Sequence, residues 1–93
     1  MSEDMTIRRC AMLMEASVDD ELVALHLDQG RCYGFNSTAA RIWELTEQPI
    51  SLAAMHTTLL SEFDVDEATC LSELVAVLNQ MERDGLISQS PTT

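Results

Sequence analysis

The spacing of apolar residues changes once along this chain, at Asn36, from the period of strands to the period of helices. That one change dictates a mixed architecture. Ahead of it, Ala11-Met12-Leu13-Met14-Glu15-Ala16 is an apolar run of strand length, and Ser17-Val18-Asp19-Asp20 is turn-like. Glu21 to Leu27 then alternates, with Val23, Leu25 and Leu27 on one face and Leu22, Ala24 and His26 on the other. Asp28-Gln29-Gly30 reads as a tight hairpin with Gly30 in the left-handed conformation. Arg31 to Phe35 returns as a third strand. Beyond the change, Asn36 or Ser37 caps a helix carrying Ala39, Ile42, Trp43 and Thr46 at helical spacing and ending near Gln48-Pro49. Ser51 caps a second, with Leu52, Met55, Leu59 and Leu60 as its inner stripe. Asp64-Val65-Asp66-Glu67 resembles a capping box, with Phe63 as its staple, and opens a third helix that Gly85 terminates. The expected fold is α+β: a three-stranded antiparallel sheet followed by three helices covering one side of it.

The third helix carries the most informative pattern. At about 100° per residue, Val77, Cys70, Met81, Leu74, Leu78, Leu71, Val75 and Ala68 fall within roughly half the circumference. A surface helix needs an apolar stripe only a little over ~100° wide. Either the helix is simply well buried in a small protein, or one flank meets something beyond the domain's own core. The wheel does not say which flank that is.

Length and charge narrow the partners. Ninety-three residues make a single domain, 1–93, too small for a large enclosed active-site cavity. Sixteen acidic residues face five arginines and no lysine, for a net charge of −11. Nucleic-acid backbones and anionic membrane surfaces are both recognised through Lys and Arg, so neither is expected as a partner. The start of the chain lacks the basic and apolar segments of a signal peptide, and no run is long enough to span a membrane. Cys10, Cys32 and Cys70 are odd in number, widely spaced and free of any CxxC pair, which points to free thiols and the cytoplasm. With His26 and His56 they form no metal-ligand spacing.

Catalytic patterns are missing too. There is no GxSxG and no cysteine in a nucleophile signature. Small buried thiols are the simpler reading of the cysteines, and packing or surface roles the simpler reading of the histidines. Asp64-Val65-Asp66 opens like a calcium loop, but Ala68 and Thr69 stand where a ligand and the required Gly belong. No Gly-rich phosphate loop exists. The expectation is a protein that is not an enzyme and needs no cofactor. The third strand offers another kind of site, since it runs straight into a capped helix and so falls at a sheet edge. An exposed edge invites an extended peptide, unless Arg31 and the helices shield it.

The segment from Gly30 to Leu45, with Asn36-Ser37-Thr38-Ala39-Ala40-Arg41-Ile42-Trp43 at its centre, resembles the PqqD-like domains. Phe63-Asp64-Val65-Asp66 and Leu78-Met81-Glu82-Gly85-Leu86-Ile87 resemble that family's ending, so the likeness covers about 11–88. It implies a winged helix-turn-helix-like fold that serves as a recognition element for ribosomally synthesised precursor peptides (a RiPP recognition element). Such domains hold a leader peptide as an added strand beside the third strand, against the third helix. Carried onto this sequence, the strand side is Arg31, Cys32, Tyr33, Gly34 and Phe35, and the helical wall is Cys70, Leu71, Leu74, Val75 and Leu78. Two branches of the family matter. One delivers the precursor of pyrroloquinoline quinone to a radical enzyme. The other is the stand-alone subunit of lasso-peptide pathways, working with a separate leader peptidase and macrolactam cyclase. The Pro-Glu that often precedes Leu-Asn in the quinone branch is replaced here by Tyr33-Gly34 before Phe35-Asn36, which favours the lasso branch. A winged-helix transcription regulator shares the topology, but Glu67, Glu73, Glu82 and Asp84 against Arg83 make the third helix a poor reader of DNA. A plain dimerisation module is the remaining alternative.

Overall fold

The computed structural model describes residues 5–10, 13–19, 21–27 and 29–91. In chain order the elements are β1 (Met5–Arg9), β2 (Leu13–Val18), β3 (Glu21–His26), β4 (Arg31–Gly34), α1 (Ser37–Leu45), β5 (Ile50–Ser51), α2 (Leu52–Glu62), α3 (Glu67–Arg83) and β6 (Ile87–Pro91). The class is α+β, with the expected meander and three helices present. The sheet count differs, however. Two small antiparallel sheets form, β2-β3-β4 and β5-β1-β6.

The second sheet joins both ends of the described chain: β1 pairs with β6 from Met5↔Pro91 to Arg9↔Ile87, and with β5 through Thr6↔Ser51 and Ile7↔Ile50. Its strands give no alternation to read, because Ile7 is the one fully buried side chain of β1 and Ile87 that of β6. In the meander, the turn after β2 is tighter than the turn-like segment Ser17–Asp20. Ser17 and Val18 stay in the strand, Val18 pairs with Glu21, and Asp19 takes a positive φ of 51° as a two-residue hairpin requires. Ala11 and Met12, expected at the start of this strand, lie outside the described residues. Gly30 has φ 67° and donates its N–H to the His26 carbonyl at 2.8 Å, closing the next hairpin.

The helix caps follow local chemistry. Asn36 Oδ1 accepts from the Ala39 N–H at 2.8 Å, and Ser51 Oγ from the Ala54 N–H at 3.1 Å. The cap of α3 is Asp66, which accepts from the Thr69 N–H at 3.0 Å. The expected capping box of Asp64 with Glu67 therefore does not form, since Glu67 is already the first helical residue. Val65 and Cys70, one before the cap and four after it, border the same small pocket and occupy the staple positions. At the other end, Leu86 N–H bonds to Met81 O and Gly85 N–H to Glu82 O, with Gly85 at φ 79°. This is a Schellman cap. It turns the chain so that buried Leu86 and Ile87 return to the core.

That core is shared by both sheets and all three helices: Ile7, Ala24, Ile42, Trp43, Met55, Leu59, Cys70, Leu74, Leu78, Met81, Leu86 and Ile87. Arg9 joins the layers. Its guanidinium stacks 4.0 Å over the Trp43 ring and donates to Trp43 O, Thr46 Oγ1 and Glu15 Oε1 at 2.7, 2.9 and 3.0 Å. Trp43 Nε1 donates to the same Glu15 oxygen at 2.8 Å. On the outer surface, Arg41 of α1 clamps Glu62 of α2 through two hydrogen bonds of 2.7 Å.

Candidate functional site

β4 lies at the edge of its sheet, with β3 on one side and, among the described residues, no strand on the other. Phe35 N–H donates to Leu22 O at 3.1 Å. Ladder bonds of an antiparallel pair recur at every second residue, so Tyr33 and Arg31 also direct their main-chain groups at β3. Cys32 and Gly34 then turn their N–H and C=O outward. Two consecutive sets of unpaired main-chain groups thus line the open edge. Nothing within 4 Å would meet a Cβ at Gly34, so the face of the strand is open at that residue.

A groove of about 360 Å³ runs beside that edge, lined by Cys32 to Phe35 of the strand side, Ala39 of α1, Val77, Gln80, Met81 and Asp84 of α3, and Leu86. Phe35 anchors its floor by stacking on Trp43, with ring centroids 5.5 Å apart. A second pocket adjoins the groove at Val77, the one residue they share, and is lined by Ala76 and Glu73 of α3 and by Asn36 and Thr38. Tyr33 Oη and His26 Nδ1 of the meander are buried without a hydrogen-bond partner among the described residues. His26 packs against the α3 cap, where a Cβ on Gly85 would come within 3.3 Å of its Nε2.

The structure sorts the residues expected at this site into three places. Cys32, Tyr33, Gly34 and Phe35 line the groove, with Arg31 exposed at the start of β4. Cys70, Leu74 and Leu78 are core residues. They hold α3 from behind, and Cys70 and Leu74 also border a separate pocket of about 80 Å³ between the helices. Leu71 and Val75 are 38% and 37% exposed. Val75 lies about 160° around the helix from Val77, so this pair is on the flank away from the groove. The groove-side residues Val77, Gln80, Met81 and Asp84 were not singled out. Val77 and Met81 sit at the other end of the same apolar arc, but choosing between its ends requires knowing which side of α3 the strand β4 passes.

Chemically, the arrangement is suited to binding. Burial pushes the Cys70 thiol up, and Glu73 and Asp66 add to the shift, so it stays protonated and a poor nucleophile. Among the described residues no group of three or more His, Cys, Asp or Glu side chains is placed to hold a metal. No helix among them is long and apolar enough to cross a membrane.

An open strand edge beside an apolar helix-walled groove defines a peptide-recognition module. The family model described as coenzyme PQQ synthesis protein D (PqqD) matches residues 21–87, which takes in β3, β4, the groove and all three helices. The chain belongs to the PqqD family of RiPP recognition elements, which are binding proteins rather than enzymes. Among solved structures it is similar to TbiB1 in complex with the TbiA(beta) leader peptide, at 27% identity and a TM-score of 0.80 over 87% of this chain and 94% of that one. It also shares its fold with a lasso peptide synthetase B1 complexed with the leader peptide, at 23% identity and a TM-score of 0.78 over 88% and 96%. No curated protein matches.

Proposed function

We propose that this protein binds the leader of a ribosomally synthesised precursor as a strand added antiparallel to β4, and delivers it to the separate leader peptidase and macrolactam cyclase of a lasso-peptide pathway in the cytoplasm. The observation that carries the reading is the outward main-chain geometry of Cys32 and Gly34 beside the groove. Main-chain hydrogen bonds supply affinity that tolerates sequence, and the groove selects alternate side chains. The likeness to a leader-bound TbiB1 supports the choice of occupant. In this reading Arg31 to Phe35 form the strand side, and Val77, Gln80, Met81 and Asp84 the helical wall. Cys70, Leu74 and Leu78 act by fixing α3 in place. We read α2, α3 and β6 as the winged helix-turn-helix part of the fold, with its DNA-reading use disfavoured by the acidic α3.

The test is amide-shift mapping of the labelled protein with a synthetic peptide covering the leader encoded beside its gene. Shifts concentrated at Cys32–Gly34 and Val77–Asp84 are expected. Shifts confined to α1 and α2 would overturn the site. The family description favours a second reading, delivery of a quinone precursor to a radical enzyme. A neighbouring radical-enzyme gene, in place of a peptidase and a cyclase, would select it.

A further inference from the structure

The groove and the pocket that adjoins it at Val77 together carry an acidic residue at each outer end. Asp84 lines one end and Glu73 the other, separated along α3 by about three helical turns, or roughly 16 Å. An extended chain spans that distance in about five residues. Asp84 is placed against local electrostatics: it is the C-cap of α3, at the negative end of the helix dipole, where Lys or Arg would stabilise. The one basic residue of that last turn, Arg83, points its Nε at Asn79 O on the far flank, 3.4 Å away. Arg31, at the nearby start of β4, forms no ion pair with Asp84. Among the described residues the one side-chain partner of Asp84 is Gln80 Nε2, at 3.2 Å, and Glu73 has no ion pair. Natural sequences break such local rules mainly at functional sites.

We propose that the peptide taken by this groove is a cationic one. A Lys or Arg beside its apolar anchors meets Asp84 at the negative end of the α3 dipole, and a second, about five residues along, meets Glu73. The inference rests on the leader-binding reading above and specifies the chemistry of its ligand. The net charge of −11 and the absence of lysine act in the same direction, steering basic peptides toward the protein.

The probe is a displayed library of random peptides panned against the full chain, followed by synthesis of the selected sequences. Peptides that shift Gly34 and Val77 amides are expected to be enriched in Lys and Arg near their apolar residues. Replacing that cation with Gln should weaken binding about threefold at low salt, the size of an exposed to half-buried ion pair, and less at high salt. Asp84→Asn, which keeps the Gln80 contact, should remove the difference, and Asp84→Lys should turn the preference toward Glu. Glu47→Gln, an exposed change of equal charge outside the groove, should leave it intact. Neutral or acidic peptides binding the groove equally well, or Glu47→Gln acting as strongly as Asp84→Asn, would overturn the charge reading and leave the edge-strand site standing. Selected peptides that bind elsewhere would overturn the site itself, and the inference with it.

Discussion

Leu74 and Val77 are three residues apart on α3 and answer different questions. Leu74 is 1% exposed. Leu74→Glu would bury an unpaired charge in the core and unfold the domain, so loss of binding in that variant would report on folding alone. Val77 is half-buried and faces the groove. Val77→Glu is expected to weaken leader binding about tenfold or more while the melting temperature moves by only a few degrees, with calorimetric titration and thermal melts as the paired readouts. Asp66 makes the pH-dependent contribution easiest to isolate. Hydrogen bonds from the Thr69 side chain, then from its main chain, hold its carboxyl below the ordinary carboxylate value. A depressed folded value means the stabilisation is present above the unfolded value of 3.8 and is lost as pH falls through the folded one. Glu62, lowered chiefly by its hydrogen bond from Arg41, has the same sign. Asp66→Asn keeps a cap-forming side chain and removes the titration. Melts taken from about pH 6 downward should show a shallower acid decline than in the parent, and an unchanged slope would mean the Asp66 cap does not contribute.

At the scale of elements, β4 allows its two edges to be tested separately. Gly34 N–H faces away from β3, so Gly34→Pro removes a peptide-facing donor without breaking the β3–β4 ladder. The ring also intrudes where the added strand would lie. Leader affinity should fall about fivefold or more, the worth of one net main-chain hydrogen bond, with the fold retained. Tyr33→Pro is the contrast: its N–H serves the ladder to Ala24, so its primary loss is in circular dichroism and melting. If Gly34→Pro binds the leader as the parent does, the added strand is not at this edge. Much of this geometry was legible from residue types. The alternation of Glu21 to Leu27, Gly30 at a left-handed turn, and the caps at Asn36, Ser51 and Gly85 each act over a few residues, where sequence and structure are directly linked. The side of α3 that borders the groove was less legible because Leu71 and Val75 share the apolar arc with Val77 and Met81. A helix wheel records which residues are apolar. It carries no information on where a strand from another part of the chain will pass.

The whole molecule divides its tasks between its two sheets. The meander β2-β3-β4 holds the open edge of the proposed site, and β5-β1-β6 ties both ends of the described chain to the core through Ile7 and Ile87. This second sheet had no sequence signature, because five-residue strands with one buried side chain each, and a two-residue strand between helices, carry no periodicity. Its contribution is tertiary. A domain of this size has only about 5–10 kcal/mol of net stability, so each of these anchors matters. Ile7 is fully buried at the centre of β1, between β5 and β6. Ile7→Ala removes three methyl or methylene carbons and leaves a cavity, at a cost of about 2–4 kcal/mol. In a domain of 60–100 residues that corresponds to a fall in melting temperature of roughly 10–25 °C. Ile7 does not line the groove, so the folded fraction should bind the leader as tightly as the parent does. Well below the new melting point, where the unfolded fraction is negligible, calorimetry should return the parent affinity at unchanged stoichiometry. A loss of affinity in fully folded Ile7→Ala would show that the two sheets are coupled, and that the strand joining the ends of the chain also sets the geometry of the edge that reads the peptide.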